Sequence, residues 1–151
     1  MAFPLSLNNA AYPAEFIAFC KLLDYRLTSL RKRILYILWS SDKPLKAYQI
    51  LSQLHLTQEN SKPPTVYRVL DYLVECKLIH KIESIQSYVL CRKPDEHPVS
   101  EILLVCNACH RILEACDKHI HNLLKQLGLN NNFNIEKNAI ELKGYCNHCH
   151  A

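Results

Sequence analysis

No uninterrupted apolar run in these 151 residues approaches the ~18 positions that a membrane-spanning helix requires. Nor do Met1-Ala2-Phe3-Pro4-Leu5-Ser6-Leu7 contain a basic n-region followed by a sustained apolar core, so a secretory signal peptide is not expected. Internal repeats and low-complexity tracts are also missing, which leaves one ordinary domain or two small ones. Eight cysteines would suit a secreted disulfide scaffold, but without a leader the expected compartment is a reducing cytoplasm, where thiols stay available for metal.

Four of those cysteines stand in two Cys-x-x-Cys pairs, Cys106/Cys109 and Cys146/Cys149. Each pair suits a short knuckle, and two knuckles offer four thiolates to one tetrahedral Zn2+ at ~2.3 Å per bond. With every position filled by protein, no place remains for water, so the expected site is structural. It would tie the end of the chain to residues about forty positions earlier.

Charge is unevenly distributed. Residues 1–83 hold 11 Lys/Arg against 7 Asp/Glu, and residues 84–151 hold 7 against 7, so the whole excess of +4 is N-terminal. A modest basic balance hints at a polyanionic partner, and the thiolate-rich half is the neutral one.

Apolar periodicity predicts a helix over 15–26, with Phe16, Phe19, Cys20, Leu23 and Leu27 at helical spacing. Thr28 or Ser29 then offers an N-cap for a second helix carrying Ile34, Leu35 and Leu38. A third helix fits 46–54. After a polar turn, Pro63-Pro64 opens a fourth, whose stripe is Val66, Val69, Leu70, Leu73 and Val74, with Tyr67, Arg68, Asp71 and Glu75 opposite. A hairpin follows, 78–83 and 87–91, joined through 84–86. Helices followed by a β-hairpin is the order of a winged helix-turn-helix.

In that architecture the fourth helix would enter a major groove of double-stranded DNA. Arg68 could contact a guanine or a phosphate, and Tyr67 a thymine methyl or a phosphate. Thr65 and Lys62 lie near the helix start, suited to backbone contacts, and Tyr48 and Arg31 complete the candidate DNA-binding set. The same pattern is equally compatible with a plain solvated helix face.

The stretch 92–98, Arg-Lys-Pro-Asp-Glu-His-Pro, is charged, proline-bracketed and aperiodic, as a linker would be. Beyond it, 101–106, 111–115 and 140–145 are expected as strands, 133–136 as a weaker fourth, and 118–127 as a helix with Gly128 as its C-cap. The expected fold class is α+β: a winged-helix domain over 1–91, a hinge over 92–100, and a small α/β domain over 101–151 with a four-cysteine zinc site.

Taken in order, the motifs Lys62-Pro-Pro-Thr-Val-Tyr-Arg-Val-Leu-Asp-Tyr-Leu73, Leu78-Ile-His-Lys-Ile-Glu-Ser84, Ser87-Tyr-Val-Leu-Cys91 and the two Cys-x-x-Cys pairs resemble the ferric uptake regulator family, nearest its zinc uptake regulator branch. The resemblance spans roughly residues 15–149. It implies a homodimeric, metal-activated transcriptional repressor that binds a palindromic operator, controls zinc uptake genes and uses its C-terminal domain for dimerisation. It also implies a second, sensing zinc held by His80, Cys91, His97 and Glu114, hence two Zn2+ per protomer. The thiolate favours zinc over iron. An iron- or peroxide-sensing member of the same family is the alternative.

Three departures from the family pattern stand out. His97 follows Cys91 by only six residues, Ser29-Leu30 replaces a common Pro-Gln before Arg31, and Lys77 replaces a usual glycine. Outside the resemblance, each proposed sensing ligand also suits a plain role: a wing histidine, a small buried cysteine, an exposed histidine and an exposed glutamate. Cys20, Cys76 and Cys116 are expected as packing residues, and His148 and His150 as exposed. His119 and His121, two apart on a helix, do not share a face. No enzyme is expected, because a zinc hydrolase or deaminase needs an open coordination position beside a general base. A zinc ribbon that binds only protein would leave the helix-turn-helix order unused.

Overall fold

Among the described residues, four helices precede the first strand: α1 (Ala14–Leu22), α2 (Ser29–Trp39), α3 (Ala47–Leu56) and α4 (Pro63–Glu75). The computed structural model describes residues 12–23, 25–56, 61–92, 102–135 and 140–150. The chain divides into two units, Met1–Pro94 and Asp95–Ala151.

In the first unit, α1 stops short of the expected Arg26 because Leu23 turns extended, with φ −81° and ψ 118°. Leu23 is still buried, so its helical spacing reflects a chain that returns to the core by a different backbone route. Thr28 is the N-cap of α2, its Oγ1 accepting the Arg31 backbone N–H at 3.4 Å. Pro63 and Pro64 occupy the first turn of α4, where no N–H is needed. Val66, Leu70 and Leu73 form the buried stripe of α4, with Val69 and Val74 half-buried, while Tyr67, Arg68, Asp71 and Glu75 are exposed.

Helix α4 ends in a paired cap. The Leu78 N–H donates to the Leu73 carbonyl at 3.0 Å and the Lys77 N–H to the Val74 carbonyl at 2.9 Å, which requires Lys77 to adopt φ 56°. A glycine is the usual residue there, and lysine accepts the left-handed backbone at some cost. Strands β1 (Ile79–Ile82) and β2 (Ser87–Leu90) then pair antiparallel, His80 opposite Val89, around a 3-10 turn at Glu83–Ile85 and Gln86 at φ 49°. Leu45 bridges to Tyr88 and widens the wing. Phe16, Ile34, Leu35, Ile50, Leu54, Leu70, Leu73 and Leu78 close one core, each contributing roughly 1.5–3 kcal/mol of burial. The unit is a winged helix-turn-helix.

The second unit holds β3 (Ile102–Cys106), β4 (Ile112–Ala115), α5 (Lys118–Asn130) and β5 (Ile140–Gly144). The sheet order is β4-β3-β5, with β3 antiparallel to β4 and parallel to β5. Asp117 caps α5, its carboxylate accepting the His119 and Ile120 N–H groups at 2.7 and 3.0 Å. These bonds hold its carboxyl below the usual aspartate range.

Two expectations need correction here. Residues 133–135 form no strand; Phe133 instead closes the end of α5, and residue 136 lies outside the described residues. Gly128 is not the C-cap but lies inside α5, which runs on to Asn130 and closes at Asn132, φ 50°, through Phe133 N–H to Gly128 carbonyl at 2.8 Å. A Cβ on Gly128 would sit 2.7 Å from the Phe133 carbonyl oxygen, so glycine is there for close approach and not for a left-handed turn.

Candidate metal centre and nucleic-acid interface

Parallel pairing decides the geometry of the four cysteines. Cys106 is in register with Gly144, so β3 and β5 end at the same edge of the sheet and the chain leaves both in the same direction. Each then makes the same short knuckle. His110 N–H donates to the Cys106 carbonyl at 3.0 Å, and His150 N–H to the Cys146 carbonyl at 2.9 Å. Asn107 N–H donates to the Gly144 carbonyl at 2.8 Å and stitches the first knuckle to the second strand. Consequently one sulfur from each of Cys106, Cys109, Cys146 and Cys149 lies within 4.8 Å of the other three.

A tetrahedron with bonds of ~2.3 Å has edges of about 3.8 Å. The Cys109 and Cys146 sulfurs stand 3.7 Å apart, close to such an edge and far from the ~2.05 Å of a disulfide, and all four cysteines are free thiols. The donor set fits one tetrahedral Zn2+. Electrostatics support the fit: backbone N–H groups of Cys109 and Cys146 point at the Cys106 sulfur, the latter at 3.4 Å, and lower its thiol to about 6. Cys149 is pushed up to about 12 by sharing its proton with the sulfurs of Cys109 and Cys146. One sulfur is therefore prepared as an anion, whereas another gives up its proton only to a cation.

Elsewhere the described residues place the expected ligands as follows. His80, on β1, is buried, as is Cys91, whose N–H donates to the Leu78 carbonyl at 2.9 Å and extends the hairpin by one rung. A ring nitrogen of His80 and the Cys91 sulfur lie within 4.8 Å of each other. Glu114 is half-buried on β4, opposite Leu103 of β3. His97 lies outside the described residues, as does residue 101.

The candidate DNA-contact residues are distributed over three helices. Lys62 is at the N-cap of α4, Thr65 in its first turn, and Tyr67 and Arg68 follow, all four exposed. Tyr48 is 62% exposed near the start of α3. Arg31 is half-buried: its guanidinium carbon sits 3.4 Å from the centroid of the Tyr72 ring, and Nη1 donates to the Arg26 carbonyl at 3.3 Å. Tyr72 was not among the residues the sequence singled out, although it follows Arg68 by four positions and so shares its side of α4.

Cys20 and Cys76 pack against the N-terminal core, as expected. Cys116 is a correction: it is exposed, because it sits in the short connection between β4 and α5 where no apolar face covers it. His148 and His150 are exposed. Among the described residues, neither His119 nor His121 joins a group of three or more metal-capable side chains.

The chain is 34% identical over 130 residues to the zinc uptake regulation protein of Escherichia coli K12, covering 86% of this chain and 76% of that protein, with the same figures for the Shigella flexneri protein of that name. A zinc uptake regulator solved in complex with zinc and DNA superposes with a TM-score of 0.78 at 32% identity, over 89% of this chain and 90% of that one. The holo form of XcZur superposes with a TM-score of 0.77 at 30% identity, over 89% and 96%. The ferric uptake regulator family model matches residues 23–143, a continuous stretch that takes in α2 to α4, the wing, the first cysteine knuckle and all but the last residue of β5, and the chain belongs to the ferric uptake regulator family.

Proposed function

We propose that this protein is a zinc-responsive, DNA-binding transcriptional repressor that keeps zinc uptake genes silent when zinc is plentiful. The observation that carries the reading is the presence in one chain of a four-thiol cluster of tetrahedral dimensions and a winged helix whose exposed helix face presents Tyr67 and Arg68. Its similarity to zinc uptake regulators, one of them solved with zinc and DNA, supports the same reading.

In this reading residues 1–91 bind DNA, 92–100 form the hinge, and 101–151 dimerise and hold the structural zinc through Cys106, Cys109, Cys146 and Cys149. A second, regulatory zinc is assigned to His80, Cys91, His97 and Glu114, two ions per protomer in all. Bound Zn2+ would supply a fixed coordination geometry that ties wing, linker and C-terminal unit to one another. The chain's part is to offer the donors in the right state: a buried Cys91 thiol that must give up its proton, and a buried His80 that must be neutral. Thiolate in that set favours zinc over iron, which is why the iron- or peroxide-sensing alternative ranks second. Because DNA binds the zinc-loaded arrangement better, zinc and DNA strengthen each other's binding by the same factor, typically ~1–3 kcal/mol of coupling.

Dimerisation is supported by surface chemistry. Ile120, Leu123 and Leu127 make an apolar stripe along α5 and are all exposed. Leu104, Leu113 and Leu142 stand side by side across the sheet and are exposed as well. A second copy would bury such faces, and its two-fold axis would match a palindromic operator. Tyr67 and Arg68 would then reach base edges, while Lys62, Thr65, Tyr48 and Arg31 hold the backbone. The expected compartment is the cytoplasm.

The test is recovery of fragmented host genomic DNA by the purified protein at two buffered free-zinc levels, picomolar and nanomolar, followed by sequencing. Enrichment of a few palindromic sites at the higher level alone is the expected result. Equal recovery at both levels would point to another sensed metal or oxidant, and no recovery would remove the DNA-binding reading. Cys91→Ser should abolish the zinc dependence while leaving a folded dimer that keeps the metal of its four-cysteine cluster; a variant that is unfolded or metal-free would overturn the division into two sites.

A further inference from the structure

Helix α2 carries three consecutive cations, Arg31, Lys32 and Arg33. Two of them lie over aromatic rings, in different places. Lys32 Nζ is 5.0 Å from the centroid of Tyr12, a residue that precedes α1. Arg31 sits over Tyr72, on the side of α4 that carries Arg68. Four residues separate Arg68 from Tyr72, so the two are neighbours on that side, about 6 Å apart along the helix axis.

Arg31 is held from several directions. Its backbone N–H is taken by the Thr28 cap, its guanidinium face by the Tyr72 ring at 3.4 Å, and its Nη1 by the Arg26 carbonyl at 3.3 Å. Stacking uses the face of the guanidinium, whereas its five N–H donors lie along the edge, the part that pairs with a phosphate. A long side chain that would otherwise lose rotamer freedom on binding is already ordered, which lowers the cost of making the contact. Tyr72 itself stays neutral, since its hydrogen bond with Cys76 raises its hydroxyl above the ordinary tyrosine value.

We propose that Tyr72 is a positioning residue for DNA binding, holding the Arg31 guanidinium as a preset clamp for a backbone phosphate beside the recognition helix. This rests on the repressor reading above. Of this stacked pair, the sequence points only Arg31 toward DNA; the new element is that its contact depends on an aromatic ring contributed by α4. A purely structural role would be a tie between α2 and α4, read as a lower melting midpoint on its removal and indifferent to salt.

The experiment is fluorescence anisotropy of the zinc-loaded protein on a duplex recovered at the higher zinc level, and on a random duplex of equal length, across a salt series. Arg31→Ala should weaken binding to both duplexes by roughly ten-fold per protomer and lower the slope of log affinity against log salt by about 0.9 per protomer. Tyr72→Gln should reproduce both losses although it removes no charge, Tyr72→Phe should retain wild-type binding, and Tyr72→Gln added to Arg31→Ala should cost nothing more. Melting midpoint and zinc content check each fold; Tyr72→Leu, which keeps apolar bulk without a π face, carries the test should Tyr72→Gln melt early. Wild-type affinity and slope in Tyr72→Gln and Tyr72→Leu, or additive losses in the double variant, would overturn the clamp while leaving the repressor reading intact. A wild-type protein that binds neither duplex would remove both.

Discussion

In residues 1–94 the apolar faces of four helices and a hairpin turn inward onto Phe16, Ile34, Leu35, Ile50, Leu70 and Leu73, all fully buried. In residues 95–151 an equally amphipathic helix, α5, buries only Gly128 among its described residues, and Leu104, Leu113 and Leu142 line up exposed across the sheet. The two units are thus stabilised differently. The first has enough chain to satisfy its own hydrophobic pattern; the second is small, and in the proposed reading a metal would close one end and a second copy would cover its faces.

The strongest way to break that contrast is to remove the metal. Cys109→Ser, or a strong chelator, should strip zinc from the four-cysteine cluster and unfold most of 102–150 with loss of the dimer, while the helical signal of the N-terminal unit survives. Circular dichroism, zinc content and sedimentation together read this out; loss of all helix at once would mean that the units do not differ in this way.

Next in size is a reciprocal pair. Leu70→Ala leaves a cavity in the first core and should cost about 2–5 kcal/mol in its melting, with the zinc of the four-cysteine cluster retained. Leu123→Asp, on the exposed stripe of α5, should leave that melting unchanged and instead produce monomers by light scattering. Were Leu123→Asp to remain dimeric, that stripe would not be the covered face.

A smaller effect concerns pH. The Cys149 thiol is pushed up to about 12 before metal binds and Cys106 is lowered to about 6. At pH 7 zinc must displace the Cys149 proton, whereas most of the Cys106 population is already ionised, and Cys106 begins to compete for protons only as pH falls through about 6. Zinc affinity of the four-cysteine cluster should therefore rise with pH, and its dependence should steepen below about 6. Chelator competition across pH 5–8 measures this; a flat profile would contradict it.

The smallest change sharpens the first unit. Lys77→Gly relieves a left-handed lysine at the end of α4 and should stabilise the winged helix by about 0.5–1 kcal/mol, seen as a higher melting midpoint. No gain would mean that the added freedom of the unfolded glycine chain offsets the relief.

Much of this was legible from the sequence. Val66, Leu70 and Leu73 marked the buried side of α4, Pro63-Pro64 its start, and the cysteine spacing the two knuckles, because each signal depends on residues a few positions apart. Legibility failed where a distant chain segment decided the outcome. Leu23 kept helical spacing although the chain there is extended. Gly128 looked like a helix end, but the returning Phe133 carbonyl is what leaves no room for a side chain. Residues 133–135 had the composition of a strand, but Phe133 closes the end of α5 instead.

Sequence alone determined the local parts: amphipathic helices, the order helix to hairpin, two pairs of thiols at knuckle spacing, and a basic N-terminal half. Tertiary structure decided which parts meet. Parallel pairing of β3 with β5 in the register Cys106 to Gly144 puts both knuckles at one edge, and packing of α2 beside α4 lays Arg31 on Tyr72. The reason is that periodicity and spacing encode interactions along a few turns of chain, whereas contacts between residues about forty positions apart exist only after the intervening segments have packed.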